Sequence, residues 1–298
     1  MATNHKSENE KKILIIGGSG FIGRNSIIKF TEYHLGKILN LDKEPSILGV
    51  KTIYMNLMYP ILSSIRRFAP DYIIYLASLN EHESENFNIA YKINVTGLES
   101  VLEELIDYEG LKKFIYISDY KLYTGEIPFK EDSQIKVDSN YLKTKYEAEK
   151  ICYKYINEFG FPIIIFRASN LYGPYDRKNP DIIYSYISSA YENKFIEVRE
   201  NNIYDYIYIT DFIRAIILSF DTLYTGAINI GSGKGVENIN IAKYIANKLN
   251  VVLKIDNSTC LEEYINNIES IKNVLSWKPE ISINLGIDKT ILYFKSLR

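Results

Sequence analysis

The stretch Lys12–Gly23, KILIIGGSGFIG, decides the fold. Lys12 to Ile16 is an apolar, β-branched run, long enough for a strand buried on both faces and too short for a helix. It runs straight into Gly17, Gly18, Gly20 and Gly23, after which Phe21, Ile22 and Ile27 recur at helical spacing. Strand, glycine turn, helix is the context in which a glycine repeat signals dinucleotide binding, against the blander reading of a turn without a ligand. Gly17 allows the tight turn, Gly20 lets backbone approach a pyrophosphate, and Gly23 lets helix and strand pack closely. The helix N-terminus then presents free N–H groups and a partial positive charge to phosphates. Ser19, Phe21 and Ile22 complete the candidate cofactor loop.

Working outward, GKILNLD places a second strand over Lys37–Leu41 and ends it on Asp42, about 20 residues past the glycine turn, where an acidic side chain accepts from adenosine ribose hydroxyls. That carboxylate repels a 2′-phosphate and favours NAD over NADP, with Lys43 beside it working the other way. Further strands read at Lys51–Leu57, Asp71–Ala77, Lys113–Ser118 and Phe161–Arg167. Helices read at Arg24–Tyr33, Pro60–Phe68, Asn88–Ile106 and, after the capping oxygens of Asp138-Ser139-Asn140, Tyr141–Phe159. This alternation predicts an α/β fold with a doubly wound parallel sheet. Ligands of such sheets sit beyond the strands' carboxyl ends, which puts Leu76, Ala77, Ser78, Ser118 and Asp119 at the site edge.

After Ala168 the rhythm loosens. NLYGP at 170–174 is a turn, Ile182–Asn193 a helix, Phe195–Val198 a strand, and Thr210-Asp211 a helix cap before a helix to Phe220. Ala227–Ile230 is a strand leading to the GSGKG loop at 231–235, and Ile239–Leu249 a helix. The division this predicts is a dinucleotide-binding domain over 11–168, with segments near 204–232 returning to it. A smaller C-terminal α/β substrate-binding domain spans 169–203 and 233–298, and 1–10 is a disordered tail.

Composition narrows the function. A formal net charge of -2 gives no sign of a polyanion partner, so nucleic acid is not expected. Two cysteines, Cys152 and Cys260, and three scattered histidines argue against a disulfide framework and a zinc site. No apolar run approaches the ~18 residues of a membrane span, and the polar start has no signal-peptide core. A cytoplasmic protein is expected.

Tyr141-x-x-x-Lys145 places a phenol and an ammonium on one helix face. A nearby ammonium favours the phenolate and lowers a pKa that otherwise lies near 10, which makes Tyr141 a candidate acid/base for a carbon that exchanges hydride with a cofactor. The same spacing recurs at Tyr33/Lys37, Tyr108/Lys112, Tyr146/Lys150 and Tyr244/Lys248, so position decides. Tyr141 lies in the first turn of the helix that follows the KFIYIS strand, nearest the ligand edge.

With DYIIYLAS at 71–78, Asn94 in KINVTG, YLKTK at 141–145, FRASNLYGP at 166–174, YDYIYITD at 204–211, INIGSG at 228–233 and LSWKP at 275–279, the chain resembles the extended short-chain dehydrogenase/reductases, the NAD-dependent epimerase/dehydratase family acting on nucleotide sugars. The resemblance implies a Rossmann fold, NAD held by Gly17, Gly20, Gly23 and Asp42, and Lys145 on the nicotinamide ribose. It implies Tyr141 as acid/base, Asn170 near the substrate, and a homodimer built through two helices per subunit. Three departures stand out. Asp119 occupies the place of a catalytic Ser or Thr, leaving Ser118, a protonated Asp119 or altered chemistry to supply the missing donor. Tyr120 and Lys121 replace the Asp-Glu pair of the 4,6-dehydratases, which disfavours dehydration. Tyr204 replaces an arginine that grips the nucleotide diphosphate, leaving Arg199, Arg177 or Lys178 to reach it. GSGKG lacks P-loop spacing and reads as a turn. The expected activity is a nucleotide-sugar epimerase working at C4, with a 4-keto-sugar-nucleotide reductase and a non-catalytic NAD-binding protein as alternatives.

Overall fold

The computed structural model describes residues 10–60, 62–176, 181–256 and 262–298. The predicted tail, apart from Glu10, and the candidates Arg177, Lys178 and Cys260 lie outside the described residues. The first half alternates as the patterning predicts: β1 (Lys12–Ile16), α1 (Phe21–Glu32), β2 (Lys37–Asp42), β3 (Thr52–Tyr54), α2 (Ser63–Phe68) and β4 (Tyr72–Tyr75). Next come α3 (Phe87–Tyr91), a π turn over Lys92–Thr96, α4 (Gly97–Glu103), β5 (Lys113–Asp119), a 3-10 turn over Tyr120–Leu122, α5 (Asn140–Phe159) and β6 (Ile163–Ala168). The second half carries β7 (Asn170–Tyr172), α6 (Ile182–Asn193), β8 (Phe195–Val198), β9 (Ile203–Tyr208), α7 (Ile209–Ser219) and β10 (Gly226–Ile230). It ends with β11 (Gly235–Glu237), α8 (Asn238–Leu249), β12 (Val252–Ile255), β13 (Glu263–Tyr264), α9 (Glu269–Leu275) and α10 (Ile283–Ser296).

Seven strands form one parallel sheet in the order β3-β2-β1-β4-β5-β6-β10. This is the doubly wound Rossmann arrangement, whose strand order reverses between β1 and β4. The side chains of β1 show why the run is apolar throughout. Ile13 and Ile15 enter the core on one face, with Ile27 and Phe30 of α1. Leu14 and Ile16 enter the other, with Val101 and Leu102 of α4. Strand β9 centres a second small sheet, pairing with β7, β11 and β13, while β8 and β12 pair separately.

Four local expectations are refined: within NLYGP, Asn170–Tyr172 is strand β7 paired with β9 rather than turn. The helix read over 88–106 runs through a π turn, in which buried Asn94 accepts from Leu79 N (2.7 Å) and donates to Thr144 Oγ1 (2.9 Å). Thr210-Asp211 is no cap: α7 begins at Ile209 after Tyr208, and the Asp211 carboxylate accepts from Glu280 N (2.9 Å) and Ile281 N (2.8 Å) instead. The GSGKG segment leads into β11 rather than directly into α8.

Candidate active site

The loop after β1 has the geometry its glycines require. Gly17 has φ +90°, and a Cβ there would lie 2.6 Å from Ala77 N, so β4's outgoing chain closes on it. A Cβ at Gly23 would stand 2.3 Å from Gly18 Cα. Gly20 differs: the nearest protein atom to a Cβ there is Gly17 O at 3.5 Å, so nothing within the chain forbids a side chain. The space it leaves opens on a groove of about 530 Å³ lined also by Gly17, Ser19, Phe21, Asp42, Leu76, Ala77 and Ser78. Asp42 braces the loop, its Oδ2 accepting from Ser19 N (2.8 Å) and its Oδ1 from Glu44 N (3.0 Å). A groove with bare backbone at a helix N-terminus and a carboxylate at the end of β2 fits a dinucleotide.

Leu76, Ser78 and Asn80 are shared with an adjoining cleft of about 380 Å³, lined by Ile22, Ser118, Asp119, Tyr141, Lys145 and Asn170 among others. Helix α5 delivers Tyr141 and Lys145 because Ser139 caps it, accepting from Leu142 N at 3.2 Å. Strand β5 delivers Ser118 and Asp119 from the other side. The structure therefore brings together all the predicted catalytic side chains. Gly23 packs behind the loop, and neither Tyr204 nor Arg199 lines groove or cleft. Arg199 is ion-paired to Glu197 (2.8 Å) with a side chain 79% exposed.

The electrostatics correct the sequence reading. Lys145 Nζ donates to Ile117 O at 3.0 Å and stands 5.6 Å from the Tyr141 ring centre, while burial pushes its pKa down to about 8. The Tyr141 phenol is not made acidic by it. Burial pushes that phenol well above the ordinary tyrosine range, and the Asp119 carboxylate adds to the effect. Tyr141 OH donates to Asp119 Oδ2 at 3.1 Å, and Asp119 Oδ1 accepts from Lys121 N at 2.8 Å. Both Asp119 oxygens thus accept a hydrogen bond. Ser118 Oγ and Tyr120 OH are buried without a hydrogen-bond partner among the described residues, and both residues line the cleft.

Tyr204 is turned away: its hydroxyl donates to the Glu262 carboxylate and accepts from Asn202 Nδ2 at 3.1 Å. Lys121 Nζ lies over its ring, 4.8 Å from the centre. The GSGKG loop holds no anion with its backbone, because buried Asp205 already accepts from Ser232 N (2.7 Å) and Gly233 N (3.0 Å). Sequence reasoning missed Arg24, which lines the groove and donates from Nε to Ser19 O at 2.7 Å. Its place one residue after Gly23 was the available signal. It missed Asp176 and Tyr175 too, which reach the groove from the YGPYD turn.

The sequence profile of the NAD dependent epimerase/dehydratase family matches residues 13–231. A UDP-glucuronate 4-epimerase of Thermodesulfobacterium geofontis is 33% identical over 220 residues, covering 68% of this chain and 65% of that protein. A dTDP-D-glucose 4,6-dehydratase of Dictyostelium discoideum is 30% identical over 272 residues, covering 80% of this chain and 62% of that one. The chain thus spans less than two thirds of the length of these two relatives. The solved UDP-glucose 4-epimerase of Thermus thermophilus, in complex with NAD, shares the fold with a TM-score of 0.85 at 20% identity, covering 96% of this chain and 100% of that one. Among the described residues no helix is long and apolar enough to cross a membrane.

Proposed function

The chain belongs to the NAD dependent epimerase/dehydratase family, and from that premise we propose that it is an NAD-dependent epimerase of a nucleotide sugar, inverting a hydroxyl-bearing carbon, C4, with Tyr141 as the acid/base. The observation that carries this reading is the continuity of groove and cleft. The bare backbone at Gly20 opens one end, and Tyr141, Lys145 and Ser118 line the other. Gly17, Ser19, Gly20 and Asp42 hold NAD in this proposal, with Asp42 on the adenosine ribose and Lys145 on the nicotinamide ribose. Bound there, oxidised nicotinamide supplies a hydride acceptor and a positive charge.

The chain's own residues do the rest. Tyr141 takes the proton of the sugar hydroxyl and returns it. Ser118 Oγ, with Tyr120 OH one of two buried and unpartnered hydroxyls flanking Asp119, donates to the substrate oxygen. Asn170 lines the cleft where the sugar lies. Lys121, its Nζ over the ring of Tyr204, brings a cation to the place of the family's diphosphate-binding arginine. Epimerisation is favoured over dehydration because Tyr120 and Lys121 stand where the dehydratases carry their Asp-Glu pair.

The test is direct. The purified protein is denatured and its released ligands identified by mass spectrometry; the native protein is then incubated with UDP-glucuronate and with UDP-glucose and followed by NMR. NAD released on denaturation, with C4 epimer formed at constant total NAD(H), is the expected result. Stoichiometric consumption of reduced cofactor points to the reductase instead. Bound NAD with no turnover, and a Tyr141→Phe variant that behaves like the wild type, overturns the catalytic reading.

A further inference from the structure

Asp119 presents a problem that Lys145 does not solve. Lys145 directs one of its three N–H bonds to Ile117 O at 3.0 Å, and Tyr141 gives its own hydrogen to Asp119 Oδ2 at 3.1 Å. A phenol donating to a carboxylate is not poised to ionise, and its oxygen can still accept a hydrogen bond from a group in the cleft that Tyr141 lines. The carboxylate itself is held by Lys121 N at 2.8 Å, which fixes the end of β5 and leaves Oδ2 to the phenol.

We propose that Asp119 is the terminal proton acceptor of this site, acting through Tyr141: as a substrate hydroxyl passes its proton to Tyr141 Oη, the phenol's own proton passes to Asp119 Oδ2. This rests on the reading of the cleft as the place where a sugar alcohol is oxidised. The O–H bond of the substrate breaks and its electron pair becomes the second bond of a carbonyl. The hydride leaves that carbon for an oxidised nicotinamide acceptor. Tyr141 exchanges one proton for another and stays a neutral phenol, while Asp119 turns from carboxylate to carboxylic acid. On return of the hydride to the opposite face the same protons run back, so nothing is consumed.

Burial and the Asp119 charge, by disfavouring the phenolate, make this route easier than ionising Tyr141 outright. The ionisable groups around the pair are Tyr116 of β5, Tyr120 of the turn, Lys145 of α5 with Glu149 acting on it, Glu81 of the loop after β4 and Tyr264 of β13. Among these Lys145 is the cation, with one of its three N–H bonds on the Ile117 carbonyl, while the Lys121 ammonium lies over the Tyr204 ring.

Two measurements test it on the full-length protein with its co-purified cofactor. In protein labelled with ¹³C at tyrosine Cζ, the Tyr141 resonance is assigned by its loss in Tyr141→Phe and followed through acid pH. It is expected to move with a single proton uptake in the wild type and to stay still in Asp119→Asn, while nucleoside diphosphate (UDP) binds both forms within twofold. Under turnover of UDP-glucuronate or UDP-glucose, Asp119→Asn is expected to lose at least 100-fold in kcat at nearly constant KM. Asp119→Ser, which restores a hydroxyl donor, is expected to regain at least tenfold over Asp119→Asn and to lack the wild type's acid limb in its pH profile. A Tyr141 resonance that titrates alike in wild type and Asp119→Asn overturns the proposal. So does an Asp119→Asn kcat within threefold of the wild type. A Tyr141 titration that depends on Asp119 in a protein that converts neither sugar nucleotide sinks the epimerase reading and leaves the proton link standing.

Discussion

Lys145 shows how a single residue can work against the fold that carries it. Its side chain is buried on α5, and burial lowers its pKa from 10.5 to about 8 even though Asp119 and Glu149 pull the other way. Below about pH 8 both folded and unfolded forms carry the proton, and the folded form bears the full cost of a buried ammonium. Between about 8 and 10.5 the unfolded chain binds more protons, so stability from this group rises with pH. In urea denaturation, the stability of the wild type relative to Lys145→Met is expected to increase by about 2 kcal/mol between pH 7 and pH 9.5. A flat difference across that range would mean that the ammonium is not buried at all. The spacing Tyr141-x-x-x-Lys145 made the pair legible, because i and i+4 always share a helix face. What the sequence did not disclose is which partner each group takes. The Ile117 carbonyl and the Asp119 carboxylate reach α5 only once β5 lies beside it.

At the scale of elements, α5 is fixed to the sheet by a buried ion pair one turn beyond Lys145. Arg167 of β6 donates from Nε to Glu149 Oε1 (2.9 Å) and from Nη2 to Glu149 Oε2 (2.6 Å), and its Nη1 donates to Tyr123 OH (2.8 Å) and Glu131 O (3.0 Å). Both side chains are almost fully buried, so removing one leaves an uncompensated charge. Arg167→Met is expected to cost about 3–5 kcal/mol in denaturant unfolding, and the double variant with Glu149→Leu to recover most of that. Equal losses in single and double variants would show that the pair contributes through packing rather than charge. The π turn between α3 and α4 was illegible for a related reason. The apolar periodicity over 88–106 is that of one helix, and the π turn is held by bonds from Asn94 to Leu79 and Thr144, partners far along the chain. Six of the seven strands of the main sheet could be read because their centres are buried apolar runs bounded by turn residues; the edge strand β3, with Tyr54 exposed, is shorter than the run read over 51–57. Strands β11 and β13, three and two residues long, have no such pattern and exist through their pairing with β9.

For the whole molecule, the two predicted lobes raise the question of whether they unfold apart. One apolar cluster runs without interruption from Ile13 and Ile15 of β1, through Phe212 and Ile216 of α7, to Trp277 and Phe294 near the C-terminus. Trp277, the chain's single tryptophan, is buried and donates from Nε1 to Asp211 O at 3.0 Å, so it ties the segment after α9 to α7. Asp211 in turn receives Glu280 N and Ile281 N, and Arg214 pairs with Asp211 at 3.2 Å. Such a shared core makes separate melting costly, because either lobe alone would expose the side chains that the other covers. Tryptophan fluorescence reports the C-terminal segment, while far-UV circular dichroism is weighted toward the main sheet and its helices. The two transitions are expected to coincide within about 2 °C in thermal unfolding, and both to move up together when NAD is added, since a ligand that binds the native state stabilises everything coupled to it. If NAD shifted the dichroism transition alone and left Trp277 melting where it was, the groove and the C-terminal lobe would be energetically separate, and closure of substrate over cofactor could not draw on a common core.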